Sequence, residues 1–187
     1  MKRLIILLLL FSCGRQADKS DNAALTDNKD NDLYTLLDQL PILKTPLTFN
    51  SDGRIVGGKE VSDELRSKIS AIVPGSNVLG KIYQTKDFIA IIGIAPADIA
   101  TPVLTTYDKR GKEIDSFFMY PSAGGDMGYY STNIITLTDN RELFLTDSTL
   151  TRKINKEGDN EIPGTDSLSV TIKKFRVTDE GEIKEIR

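Results

Sequence analysis

The stretch that decides the fold is Val103-Leu104-Thr105-Thr106-Tyr107-Asp108-Lys109-Arg110-Gly111-Lys112-Glu113-Ile114, in which a polar turn with a glycine joins two runs of strand composition. A hairpin turn of this form needs a residue with positive φ, and glycine adopts that conformation at little steric cost. The same arrangement recurs at 154–159 and at 177–183. A fourth turn is predicted at 138–141, where Asn140 can supply the positive φ.

The segments around these turns have the composition of strands. Residues 87–94 contain a continuous apolar run of strand length, which is typical of a buried central strand. Shorter alternating runs follow, and in 168–177 the alternation slips near Lys173-Lys174. The sequence therefore predicts a mainly β protein with minor α content. The strands form an antiparallel meander, arranged as a single sheet, a sandwich or a barrel-like sheet.

Two amphipathic segments precede the strands. Apolar residues at 33, 36, 37 and 40 have helical spacing, and Pro41 ends that segment. A second helix is predicted over about 62–73, with Ser62 as its N-cap. We expect one or two short N-terminal helices to pack on the β domain.

The N-terminus has the layout of an export signal. Lys2 and Arg3 precede an apolar run that ends at Phe11, and this run is far shorter than the roughly 20 residues that span a bilayer. Leu10-Phe11-Ser12-Cys13-Gly14 resembles the lipobox of bacterial lipoproteins, which implies cleavage before Cys13 and acylation of that cysteine. The alternative is a plain apolar segment with an incidental cysteine. The predicted organisation is a signal peptide at 1–12, an acylated Cys13 and flexible tether at 13–32, and one β-rich domain at 33–187.

This resemblance also predicts a location. No aspartate follows Cys13 at the second mature position, which in lipoproteins of enteric-type bacteria implies transport to the outer membrane. We therefore expect a palmitate-bearing protein of the cell envelope, anchored to the outer membrane. Whether it faces the periplasm or the cell surface stays open.

Composition excludes several classes of function. The 187 residues contain no His and one Cys, so a Ser-His or Cys-His catalytic pair, a His-ligated zinc and an internal disulfide are excluded. The formal net charge of −3 does not provide the basic surface of a nucleic-acid binder. We expect no cofactor, no metal and no nucleic-acid partner.

The richest candidate for recognition is the segment 117–130, which combines two Phe, two Met, three Tyr and three Gly. Aromatic side chains on a loop provide rigid contact surface for peptides, proteins or sugars. The candidate ligand-binding residues are Tyr120, Asp126, Tyr129 and Tyr130. The alternative is a strand connection whose aromatic residues close the core.

The layout resembles a group of uncharacterised Bacteroidetes lipoproteins. The resemblance rests on the Leu-Phe-Ser-Cys leader, on the strand-turn pattern 104–115, on the Gly-Gly loop 123–126 and on the strand-rich end. It implies a location and a fold, and it implies no activity.

Two functions follow as hypotheses. The first is a noncatalytic interaction module that presents a sheet face or the segment 119–130 to an envelope protein or a glycan. The alternative is an envelope hydrolase, for example one that acts on glycans, which would use two carboxylates in a cleft, one of them with a raised pKa. No residue is predicted to be catalytic, and a convergence of acidic residues in a deep pocket would favour the hydrolase.

Overall fold

The computed structural model of the chain describes residues 32–53, 55, 61–73 and 77–187. Within them, helix α1 covers 32–38 and helix α2 covers Asp63–Ile72. The strands are β1 (Leu47–Asn50), β2 (Asn77–Gln84), β3 (Phe88–Ala95), β4 (Thr101–Asp108), β5 (Glu113–Phe118), β6 (Gly124–Asp126), β7 (Tyr129–Leu137), β8 (Glu142–Thr151), β9 (Ser167–Val177) and β10 (Ile183–Ile186). The predicted mainly β fold is confirmed.

The strands form two antiparallel sheets that pack face to face. Sheet 1 has the order β2-β3-β4-β5. Sheet 2 has the order β1-β7-β8-β9-β10, and β6 pairs with β7. Of the three predicted arrangements, the described residues therefore form a sandwich. The four strands of sheet 1 are consecutive along the chain, as are β6 to β10 of sheet 2. Short turns join these neighbours, except that the longer connection 152–166 joins β8 to β9.

The core has two compartments on the two faces of sheet 1. Phe88 and Ile92 of β3 face sheet 2, where they pack with residues such as Ile135. Ile89 and Ile91 face the helices. Strand β3 is thus covered on both faces, as its continuous apolar run predicts. The layers are helices, sheet 1 and sheet 2, in that order.

The two helices cover one face of sheet 1. Ser62 caps α2 by accepting a hydrogen bond from the backbone N–H of Leu65 at 3.2 Å, as predicted. The Lys81 ammonium of β2 is buried, and it donates to the carbonyl oxygen of Asp38 at 2.7 Å. This bond ties the end of α1 to sheet 1, because the last carbonyls of a helix lack partners within the helix.

The predicted turn chemistry is present at three of the four turns. Gly111, Gly158 and Gly181 have φ of 80°, 79° and 88°, and each donates its N–H to the carbonyl three residues earlier. In the fourth turn the prediction for Asn140 is wrong, because Arg141 is the residue with positive φ, at 61°. Arg141 occupies the position that glycine has in the other three turns.

The slip of alternation near Lys173-Lys174 does not interrupt the pairing of β9. Strand β9 pairs with β8 without interruption, from Ser167 opposite Thr151 to Arg176 opposite Glu142. The apolar residues change face instead. Leu168, Val170 and Ile172 are exposed, whereas Phe175 and Val177 pack in the core.

Candidate functional site

The face of sheet 2 that points away from sheet 1 carries an exposed apolar surface, which we call the open face. Alternate residues of a strand point to opposite sides of a sheet, and the inward residues of β7 are Ser131, Asn133, Ile135 and Leu137. The intervening residues of β7 therefore belong to the open face, together with their partners on β8 and β9. Its members are Tyr130, Thr132, Ile134 and Thr136 of β7, Phe144, Thr146, Ser148 and Leu150 of β8, and Leu168, Val170 and Ile172 of β9.

The strand register gathers the apolar side chains of the open face into rows. Tyr130, Leu150 and Leu168 are neighbours across β7, β8 and β9. Two rows further along the strands, Ile134 and Ile172 flank Thr146. On β9 the exposed fractions are 66% for Leu168 and 69% for Ile172, far above those of core residues. A contiguous apolar surface of this kind is uncommon on a protein that has no partner.

An ionic cluster lies at one end of the open face. Arg152 pairs with Glu161 at 2.8 Å and with Asp166. Tyr130 donates its hydroxyl to Glu161 at 2.5 Å, and the backbone N–H of Gly128 donates to the same carboxylate at 2.9 Å. We call Tyr130, Arg152, Glu161 and Asp166 the Arg152 cluster. The Arg152 guanidinium also lies 5.7 Å from the centre of the Tyr130 ring, within cation–π range.

These contacts determine the charge state of the Arg152 cluster. Hydrogen bonds from Arg152, Tyr130 and Gly128 lower the pKa of Glu161 to about 2. Hydrogen bonding to that carboxylate raises the pKa of Tyr130. At neutral pH the cluster therefore holds an ionised carboxylate and a neutral phenol.

A second ionic cluster lies at the opposite end of the open face. Glu142 accepts hydrogen bonds from Arg176 and from Lys174, the latter at 2.9 Å, and these bonds lower the pKa of Glu142. The Lys174 ammonium lies 5.1 Å from the centre of the Phe144 ring. The apolar part of the open face is thus bounded at both ends by paired charges.

The structure places the predicted ligand-binding residues in different environments. Tyr120 is 8% exposed and packs in the core between the sheets. Tyr129 and Tyr130 belong to β7, opposite Asp126 and Gly125 of β6. As neighbours in a strand they point to opposite faces, so only Tyr130 contributes to the open face. Asp126 is exposed at the end of β6. Cys13 lies outside the described residues.

Tyr120 lines a cavity of about 490 Å³ at the end of the sandwich. Its hydroxyl is buried without a hydrogen-bond partner among the described residues, and burial raises its pKa to about 12. The cavity is also lined by Gly124, Gly125 and Thr101, and Asp98 is the acidic residue among them. A single carboxylate does not provide the pair that glycoside hydrolysis requires.

Two clefts that each hold two carboxylates have the wrong electrostatics for the hydrolase. Glu161 and Asp166 share a cleft with Arg152, which pairs with both. Asp179 and Glu180 share another cleft with Arg141, which pairs with Asp179. A general acid needs a raised pKa, whereas a paired arginine favours the ionised form. Neither cleft therefore favours the hydrolase.

Sequence reasoning missed most of the open face. It places Leu168, Val170 and Ile172 in the alternating run 168–177 without predicting their exposure, and it does not single out Arg152 or Glu161. The signal that could have found the apolar residues is the change of phase between 172 and 175, which marks a strand whose apolar side chains change face.

Comparison of the chain with models of known protein families, with curated proteins and with solved structures found no match. Neither of the described helices has the length and apolar character needed to cross a membrane. Among the described residues, no three Cys, His, Asp or Glu side chains gather in a group that could hold a metal ion.

Proposed function

We propose that this protein is a noncatalytic interaction module of the cell envelope, anchored to the outer membrane through an acylated Cys13, and that it binds a protein partner on the open face. The observation that carries this proposal is the exposure of Leu168, Val170 and Ile172 beside Ile134 and Tyr130. Burying apolar area of this kind against a partner provides the main driving force for association.

The chemistry of the open face favours a protein over a glycan. Sugar rings stack on exposed aromatic faces, whereas each of the two aromatic side chains of this face already has a cation over its ring: Arg152 over Tyr130 and Lys174 over Phe144. The central part is made of aliphatic and hydroxyl side chains, which suit the packed centre of a protein–protein interface. The charged pairs at its two ends correspond to the polar rim of such an interface.

The binding test compares two isoleucines in the full chain. Ile134→Lys places a charge in the open face, whereas Ile42→Lys places the same charge at an exposed isoleucine beside β2 of sheet 1. Both variants are expressed in the native envelope, cross-linked in intact membranes and purified. We expect at least one identified protein to be cross-linked to the wild type and to Ile42→Lys, and to be lost from Ile134→Lys.

Two outcomes would overturn the binding proposal. One is an identical set of cross-linked proteins for all three chains, with equal thermal stability of the variants. The other is a lipid partner. Full chains carrying Cys13→Ser are mixed with phosphatidylethanolamine–phosphatidylglycerol vesicles, and loss of vesicle binding on adding Ile134→Lys would assign the open face to a membrane.

The anchor has its own test. Cells that grow with labelled palmitate should label the wild-type chain, and Cys13→Ser should not be labelled. An unlabelled wild-type chain that retains its initiator methionine would overturn the anchor and leave the binding test unaffected.

A further inference from the structure

The first part of β9 is exposed on both of its faces and along one edge. All seven residues of 167–173 are exposed, because this part of the strand has neither sheet 1 on one face nor a covering layer on the other. One edge of the segment pairs with β8. On the other edge, β10 pairs only with Lys174–Val177. Along that edge, no described residue pairs with 167–173. Such an open strand edge, which carries no charge from Ser167 to Ile172, is a template for another strand.

The backbone groups available at this edge follow from the pairing of β9. The N–H of Val177 donates to the carbonyl of Arg141, which continues the β8 side of the ladder. In an antiparallel ladder, alternate residues direct their N–H and C=O to opposite edges. The backbone groups of Leu168, Val170 and Ile172 therefore point to the open edge.

We propose that a second copy of this chain pairs with this edge, antiparallel, about a two-fold axis through Val170. In this register Val170 lies opposite Val170 of the second copy, and Leu168 lies opposite Ile172. Each of these pairs exchanges two backbone hydrogen bonds. Five residues, 168–172, fit in the part of the edge that β10 leaves free, since Ile186 ends β10 opposite Lys174. The pairing makes sheet 2 continuous across two copies.

The sequence of the segment is complementary to itself in this register. Apolar residues meet apolar residues on the open face, and Ser169 meets Thr171 on the other face. Lys173 lies just outside the paired segment, and the two Lys173 side chains stand six residues apart, about 20 Å along the strands. No like charges meet, whereas a like-charged cross-strand pair would oppose association. A two-fold contact needs this self-complementarity, which a strand that binds an unrelated peptide does not need.

This inference goes beyond the proposed function, because the contact uses the edge of β9 and leaves Ile134 and Tyr130 free. It also enlarges the open face, since the faces of two copies join along β9. Failure of either proposal leaves the other standing.

Disulfide cross-linking tests the register. In a full chain that carries Cys13→Ser, an introduced cysteine is the only thiol. In the proposed pairing the two Cα atoms of Val170→Cys lie about 5.5 Å apart, which a disulfide can span. Those of Leu168→Cys lie four residues apart, about 14 Å. Both positions are exposed on the same face, so the second variant is a matched control for accessibility.

Charge variants at Ser169 and Thr171 test the proposed pairing on the other face of β9. In Ser169→Lys/Thr171→Lys, two lysine pairs meet across the two-fold axis. In Ser169→Glu/Thr171→Lys, two Glu–Lys pairs meet. Both variants carry Thr171→Lys, which places the same new charge opposite Asp147 of the same chain, so they differ only in the sign of the charge at 169. We expect dimerisation to differ by about tenfold between them, measured by light scattering during size-exclusion chromatography.

The proposal is supported if Val170→Cys forms a covalent dimer, Leu168→Cys does not, and the Glu–Lys variant dimerises more than the Lys–Lys variant. It is overturned if the chain stays monomeric, if the two cysteine variants cross-link equally, or if the sign of the charge at 169 has no effect. Cross-linking of Val170→Cys to a different protein in the membrane, in place of a second copy, would also overturn it.

Discussion

Replacing Gly181 with alanine should destabilise the protein much more than replacing Gly158 with alanine. The two glycines occupy the same position of the same kind of turn, with φ of 88° and 79°. Each donates its N–H to the carbonyl three residues earlier, at 3.2 Å. An added Cβ is strained in this backbone conformation, at a cost of about 1–2 kcal/mol. That cost applies equally to both variants.

The two sites differ in the space for a methyl group. At Gly158 no other atom lies within 4 Å of the position of a Cβ, whereas at Gly181 the Cβ would lie 2.7 Å from Ile114 Cδ1 and 3.3 Å from Phe88 Cγ. The Ile114 methyl can rotate, but Phe88 is fully buried. The turn cannot move away either, since the Gly181 carbonyl accepts a buried hydrogen bond from Thr106 Oγ1 at 2.7 Å. Overpacking adds about 1–3 kcal/mol.

Urea unfolding of the full chain, followed by far-ultraviolet circular dichroism, measures both effects. We expect a loss of about 1–2 kcal/mol for Gly158→Ala and about 2–5 kcal/mol for Gly181→Ala, with unchanged m-values. Equal shifts of the midpoint would refute the argument, because they would show that the Gly181 turn accommodates the methyl group without contacting sheet 1.

Further predictions concern the other contacts that hold the domain. Arg141→Gly should be about 1 kcal/mol more stable than Arg141→Ala in urea unfolding, because both lose the ion pair with Asp179 and only glycine removes the strain of positive φ. Lys81→Met should cost about 1–3 kcal/mol by leaving the Asp38 carbonyl without its buried donor, and should speed amide hydrogen exchange of 32–38. Because the pKa of Glu161 is lowered from 4.5 to about 2, its contribution to stability is complete above pH 4.5 and is lost as the pH falls towards 2. Glu161→Gln should therefore flatten the dependence of the urea midpoint on pH in that window.

Local chemistry made much of the fold predictable. The turn glycines could be assigned because positive φ restricts the choice of residue, and Ser62 because helix N-termini need an acceptor. Strand β3 could be assigned because burial on both faces requires a continuous apolar run. Each of these features is determined by residues that are neighbours in sequence.

The features that could not be predicted depend on contacts between distant segments. Two sheets instead of one follow from where Phe88 and Ile135 meet, which no local pattern encodes. Arg141 has positive φ in a turn whose conformation is stabilised by a distant segment. Its guanidinium donates to the Thr178 carbonyl and to the Asp179 carboxylate in the turn between β9 and β10. Tyr120 and Tyr130 are ten residues apart in the same aromatic segment, but β6 and β7 place one in the core and the other on the open face.

The Arg152 cluster gives the exposed strand a defined shape before any partner binds. Residues 167–173 lack packing on both faces, so their extended conformation depends on the ladder with β8 and on the connection between the two strands. Arg152 holds that connection, because its guanidinium binds Glu161 and Asp166 while its backbone N–H donates to the Gly128 carbonyl at 2.9 Å. A strand held extended in this way loses less conformational entropy on pairing than a free segment. Glu161→Gln should therefore weaken dimerisation through β9 even at neutral pH, although Glu161 lies outside the proposed contact.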